Sequence, residues 1–230
     1  MFSYYGSKSK IVDCYPKPIH NTIIEPFAGS AKYSLKYYYK DVILYEKSKY
    51  VFDVWIYLQN ASKNDILKLP ILKIGESLDD FDISNEEKQF MSFVINDGAT
   101  GGNKKVSRFA LPDQLNELKK TANNLHKIKH WKIYNESFEN SENIEATWFI
   151  DPPYQFGGEH YKESSKNIDF VFLSQWCKSR NGQVMVCENT KADWLNFNPL
   201  VEISGTVKKS TEAIWTNYHT HYNNIQLQLI

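Results

Sequence analysis

An excess of charge of either sign is the first thing this sequence lacks. Its 27 Lys and Arg are matched by 27 Asp and Glu, and the isoelectric point is ≈ 7.0. Such neutrality excludes a protein that coats nucleic acid by bulk electrostatics; any polyanion has to be held by a local patch. Cysteine is scarce. Cys14, Cys177 and Cys187 are scattered, with neither metal-ligand spacing nor the look of a disulfide framework, and read as reduced thiols of a cytoplasmic protein. No cluster of His, Cys and Asp points to a metal. No apolar run approaches the ~18 residues of a membrane span, and Met1 leads into a polar stretch rather than a signal peptide. The expectation is a soluble, cytoplasmic protein, either a monomer or a weak dimer.

What the chain does have is aromatic and apolar mass. Hydrophobic residues make up 42% and aromatics 15%, with 15 Tyr, 13 Phe and 6 Trp, enough for a packed core. A length of 230 residues suits one domain carrying an insertion.

Residues 22–46 read as a βαβ unit. TIIE is a short strand, PFAGS a turn with Pro26 and Gly29, and AKYSLKYYYK a helix with Ala31, Leu35, Tyr38 and Tyr39 on its apolar face. VILYE is a second strand, ending at Glu46. Two strands separated by one short helix imply parallel pairing. A further helix places Val51, Val54, Trp55 and Leu58 on one face. The pattern then breaks. Residues 61–98 carry eight acids against four lysines, and 99–130 carry seven basic residues against two acids. The second stretch holds a glycine-rich loop and a helix opened by Pro112, marked by Leu111, Leu115, Leu118, Leu125 and Ile128. The α/β pattern returns with WKIY, ATWFI, a helix at 170–179 burying Phe170, Leu173, Trp176 and Cys177, and QVMVC. EAIWT and IQLQLI could supply a closing antiparallel pair. About seven strands with helices between them make a doubly wound, mostly parallel, Rossmann-like α/β sheet. The catalytic part would be 1–60 and 131–230, with an insertion at 61–130.

In such a sheet, ligands sit outside the carboxyl ends of the strands. The turn EPFAGSA stands there with only Gly29, too few glycines to cradle a pyrophosphate. Glu46, at the end of the second strand, sits where an acid grips ribose hydroxyls. A ribose-containing cofactor without pyrophosphate suits S-adenosylmethionine better than a nicotinamide, so an oxidoreductase is the weakest of the alternatives. Asp151-Pro152-Pro153-Tyr154 directly follows ATWFI, and its two prolines force a rigid turn that holds an acid and an aromatic at the strand end. This chemistry suits methyl transfer to an exocyclic amine. Asp151 and the Pro152 carbonyl can each accept one N–H, favouring a nitrogen whose lone pair is free to attack, while Tyr154 stacks on a swung-out base.

YYGSKSKI, EPFAGSA and DPPY, in that order, resemble the Dam-type adenine-N6 DNA methyltransferases of phages and bacteria. The resemblance covers most of residues 1–60 and 131–220. It implies a class I methyltransferase fold that binds S-adenosylmethionine, with Tyr4 standing for the family's usual Trp, Ser7 for its second Gly, and Lys8 matching. Glu25, Phe27 and Gly29 match the Glu-Pro-Phe-x-Gly turn, Glu46 takes the place of the ribose-binding acid, and Asp151, Pro152 and Tyr154 match the catalytic tetrapeptide. ESF at 136–138 resembles the segment flanking the cofactor's adenine, and STEAIWTNY at 210–218 the closing strand. Residues 61–130 stand where the family carries target recognition, so Lys104, Lys105 and Arg108 are the candidates for contacting DNA. Gly157 and Gly158 could let a loop close over the flipped base. His160, His219 and His221 read as surface residues. The implied setting is the cytoplasm of a bacterium or phage-infected host. Another amine (cytosine-N4, an RNA base, a protein glutamine) or a catalytically idle nucleic-acid-binding protein remains open.

Overall fold

The computed structural model describes residues 1–4, 6–96, 101–106, 113–158, 164–204 and 209–218. Arg108, Pro112, His160, His219, His221 and the IQLQLI segment lie outside them. Among the described residues, seven strands form one sheet in the order β3-β2-β1-β4-β5-β7-β6. These are β1 Thr22–Glu25, β2 Asp41–Tyr45, β3 Lys132–Tyr134, β4 Ala146–Ile150, β5 Gly182–Asn189, β6 Asn198–Ser204 and β7 Lys209–Thr216. The first five pair in parallel, whereas β7 runs antiparallel to both β5 and β6.

The sequence pattern accounts for this sheet. ATWFI is buried at every position, as expected of a parallel strand covered on both faces. Alternate residues point to opposite faces. Ile23, Phe149, Met185, Cys187 and Ile214 join one apolar cluster, and Ile24, Trp148, Ile150, Val184 and Val186 join the other. The first face is covered by α1 (Lys32–Lys36) and α2 (Lys49–Asn60). The second face is covered by α6 (Phe170–Lys178), through Leu173, Trp176 and Cys177, with Phe170 only half-buried. Asp169 starts α6 by accepting the Val171 and Phe172 N–H groups.

The first expected helix is corrected. α1 has five residues and buries Tyr33, with Tyr37 buried just after its end, while Tyr39 is 69% exposed. The reason is a flat stack of Tyr33 on Phe149 of β4, with centroids 4.3 Å apart, and a bond from the Tyr33 hydroxyl to the Pro16 carbonyl. Ala31 is buried and Leu35 and Tyr38 pack against the same cluster, so of the expected face only Tyr39 points away from the core. The closing pair is corrected too: the outer partner of β7 is β6, the stretch NPLVEIS. Its Pro199 and isolated apolar residues hide a strand, because an edge strand tolerates proline.

Within 61–130, α3 (Lys63–Leu67), α4 (Asn85–Val94) and α5 (Gln114–Asn124) share the apolar cluster of the sheet's first face. The buried Gln114 amide binds both the N–H and the carbonyl of Leu72. α5 begins at Gln114, where the Asp113 side chain caps it by accepting the Asn116 N–H. No helix among the described residues is long and apolar enough to cross a membrane.

Candidate active site

The chain leaves β1 for β2 and β3 on one side, then returns to β4 and β5 on the other. The crevice between β1 and β4 is therefore the topological switch point, where α/β sheets bind ligands. A cavity of ≈ 230 Å3 opens there, lined by Tyr4, Lys8, Glu25, Phe27, Gly29, Glu46 and Asp151. Ser7, Ser137 and Phe138 line it too, so the segments expected to meet a cofactor and the acid of the tetrapeptide face one space. Pro153 also lines it, whereas Pro152, buried, and Tyr154, half-buried, do not.

The turn after β1 is held from three sides. Ala28 N–H bonds to the Tyr45 carbonyl, the Trp55 indole donates to the Gly29 carbonyl at 2.9 Å, and the Gly29 N–H donates to Glu46 Oε2 at 2.9 Å. Gly29 has φ +46, and an added Cβ would sit 3.4 Å from the Tyr4 ring. A side chain there would fill the space between turn and ring. Glu46 also accepts the Ser48 N–H at 2.8 Å, so its carboxylate is fixed at the lip of the cavity. Phe27 and Phe138 stack with centroids 5.0 Å apart, and both line the cavity. Glu25 is 2% exposed, and its Oε1 accepts the Ser34 N–H at 2.7 Å, tying β1 to α1. Burial pushes its pKa up to about 8, outweighing the Ser34 bond.

Asp151 meets a second acid that motif reading missed. Lys8 Nζ lies 2.8 Å from Asp151 Oδ1 and 3.7 Å from Glu212 Oε1, and stands 4.6 Å from the centre of the Tyr154 ring. Glu212, 4% exposed on β7, accepts the Tyr15 hydroxyl at 2.6 Å and the Tyr154 hydroxyl at 2.5 Å. Burial pushes the Asp151 pKa up to about 6; Lys8 opposes this and Glu212 adds to it. Burial alone would lower the Lys8 pKa, but Asp151 and Glu212 outweigh it and raise it. The ammonium expected to meet a cofactor is thus also the counter-ion of the tetrapeptide's acid.

Glu188 was likewise missed. Fully buried near the end of β5, it accepts the Gln155 N–H at 2.5 Å and the Asn189 N–H at 2.7 Å, while the Asn189 amide donates to the Phe156 carbonyl. These bonds fasten the residues following the tetrapeptide. Gly158 belongs to the same packing: its N–H donates to the Tyr154 carbonyl, and an added Cβ would lie 2.4 Å from that oxygen. Its lack of a side chain is thus a packing requirement of the turn itself. The sequence carries a signal for Glu188, which ends the apolar run VMVC, whereas Glu212 merely precedes AIW.

No family model and no curated protein matches the chain. A solved structure described as a conserved hypothetical protein from Streptococcus pyogenes aligns over 86% of this chain and 88% of its own, with 12% identity and a TM-score of 0.35. A likeness that low carries no argument about function.

The residues expected to contact DNA do not line the cavity. Lys104 Nζ is paired with Asp79 at 2.9 Å, Lys105 is exposed, and Arg108 is outside the described residues. Gly101 is locked where it stands, since at φ +89 an added Cβ would come within 2.6 Å of the Phe93 ring. Gly102 N–H donates to the Tyr50 hydroxyl and to Ser92. The end of the glycine-rich loop is therefore fastened to α2 and α4. Among the described residues, no group of three His, Cys, Asp or Glu side chains could hold a metal ion.

Proposed function

We propose that this protein transfers the methyl group of S-adenosylmethionine to the exocyclic N6 amine of adenine in DNA. The observation carrying the reading is the convergence of the EPFAG turn, Glu46, Lys8 and Asp151 on one cavity at the switch point of the sheet. The lining suits a ribose-bearing cation. It has a fixed acid after β2, a stacked aromatic pair, and the carboxyl groups of Glu46, Glu139, Asp151 and Asp169 against the amines of Lys8, Lys32 and Lys47, while burial favours the neutral form of Glu25. Tyr4, Phe27, Gly29 and Glu46 would hold S-adenosylmethionine, which would supply an electrophilic methyl on sulfur.

The chain's own work is to prepare the nucleophile. An adenine amine is a poor one, because its lone pair is delocalised into the ring. Asp151 and the Pro152 carbonyl accept its two N–H groups, which favours a pyramidal nitrogen and spares the lone pair for in-line attack. Lys8 engages Asp151 at Oδ1, so the acid keeps a fixed orientation while Oδ2 serves the amine. The turn 151–154, backed by Glu188 and Gly158, holds these acceptors without rearrangement. The inserted region 61–130 contacts the duplex through Lys104 and Lys105, and Arg108 is assigned with them from sequence.

Incubation with methyl-labelled S-adenosylmethionine and random-sequence DNA, followed by nucleoside mass spectrometry, tests the reading. N6-methyladenine in DNA is the expected product. Label on cytosine, RNA or protein would reassign the substrate, and no product from any of them would overturn the activity. Asp151→Ala should abolish transfer while largely sparing cofactor binding. Retained turnover in that variant would remove the mechanism.

A further inference from the structure

We propose that Glu212 is a positioning residue of this site: from β7 it anchors the Tyr154 phenol and shares the Lys8 ammonium with Asp151, and so sets how Asp151 is presented. The inference rests on the methyltransferase reading only for its catalytic consequence; the network itself stands on the geometry.

Three elements meet at Glu212. The N-terminal segment brings Lys8 and Tyr15, the turn after β4 brings Asp151 and Tyr154, and β7 brings the carboxylate itself. Two phenol hydroxyls donate to Glu212 Oε1, with Lys8 Nζ 3.7 Å from the same oxygen. A carboxylate 4% exposed needs such donors, because burying it without them is costly. The reverse dependence matters more. Without Glu212, the Tyr154 hydroxyl loses its acceptor and Lys8 is left with Asp151 as its close carboxylate partner.

The Asp151 charge in turn raises the pKa of Tyr15, Tyr154, Glu25, Cys187 and Glu188, which surround it. Lys8 favours the ionised form of Asp151, and Glu212 disfavours it. Glu212 therefore offsets part of what Lys8 does for the Asp151 carboxylate, and it fixes the Tyr154 hydroxyl at the same time.

The test is the titration of Asp151 followed by the carboxyl carbon resonance of labelled aspartate in the intact protein, assigned with Asp151→Asn. Glu212→Gln removes one like charge and should lower the Asp151 midpoint by roughly one pH unit. Tyr15→Phe keeps the carboxylate but strips one donor from it; this leaves its charge less compensated and should raise the midpoint. Tyr33→Phe, equally buried but bonded to Pro16, should leave the midpoint unchanged. An unmoved Asp151 midpoint in Glu212→Gln overturns the inference. If that variant does not fold, an unmoved midpoint in Tyr15→Phe overturns it instead. The midpoint decides the inference whether or not the native protein methylates DNA, and absence of methyl transfer by the native protein overturns only the proposed function.

Discussion

Glu46 Oε2 accepts the Gly29 N–H at 2.9 Å, so the acid ending one strand holds in place the turn that ends its neighbour. With the Ser48 bond at 2.8 Å, the same carboxylate organises two walls of the cavity. Glu46→Ala strips both N–H groups of a charged acceptor, each such bond being worth about 1.5–3 kcal/mol. Affinity for S-adenosylmethionine in a calorimetric titration should fall at least about tenfold. An unchanged affinity would separate Glu46 from the cofactor.

Methyl transfer should depend on the ionisation of Asp151. Its pKa is pushed up to about 6 by burial, with Lys8 opposing, so the rate should decline as pH falls through about 6. Lys8→Met removes the opposing cation and should move that decline to higher pH. Single-turnover rates across pH 5–8 check both statements. A profile flat across about pH 6 contradicts the assigned role.

Glu25 makes folding pH-dependent. Its pKa rises from the model-peptide value of 4.5 to about 8 on folding, chiefly through burial, so between those values the folded chain binds more protons than the unfolded one. The stabilising contribution is complete below about 4.5 and lost as pH rises through about 8. Glu25→Gln keeps an acceptor for Ser34 and cannot ionise. Denaturant titrations at pH 5 and pH 8 should show a drop in stability for the native protein, on the order of a few kcal/mol, that is much smaller in the variant.

Gly157 and Gly158 should respond differently to alanine. At Gly157 an added Cβ meets nothing within 4 Å, and the penalty comes from φ +100 alone. At Gly158 it lies 2.4 Å from the Tyr154 carbonyl oxygen and 2.7 Å from the Tyr154 nitrogen, so the 151–154 turn has to open. Both variants should lose about 1–3 kcal/mol by thermal denaturation. Only Gly158→Ala should also lose most methyl transfer under conditions where both are folded.

On DNA, Lys104→Ala combined with Lys105→Ala should lower affinity and flatten its salt dependence. Asp79 accepts from Lys104 through both carboxylate oxygens, so Asp79→Asn should act in the opposite direction and strengthen binding at low salt. A salt slope unchanged by the double substitution places the DNA elsewhere.

Much of the site could be read from the sequence because its parts are local. EPFAG, Glu46 and DPPY each follow an apolar strand, and the strand itself carries them to the same edge of the sheet. α2 was legible for a similar reason: Val51, Val54, Trp55 and Leu58 recur at helical spacing, and all are buried. What escaped was set by partners far along the chain. The α1 face follows from Phe149 under Tyr33. Among the described strands β6 pairs on one side only, so its pattern never needed to be continuous. Glu212 acts through a lysine and two tyrosines from elsewhere in the chain, and no spacing rule connects position 212 to positions 8, 15 and 154.

The distance along the chain between Tyr15 and Glu212 also bears on biosynthesis. Their hydrogen bond joins positions 197 apart, and the strand carrying Glu212 is wedged between β5 and β6 although it is the last of the described strands to be synthesised. A nascent chain carries Lys8, the EPFAG turn and DPPY well before β7 leaves the ribosome. Until then the tetrapeptide's tyrosine has no Glu212 to bind, and β5 and β6 lack the strand that joins them. The order of translation therefore delays completion of the charged site until after residue 212, so a prematurely terminated product would carry YYGSKSKI, EPFAGSA and DPPY and still be incomplete.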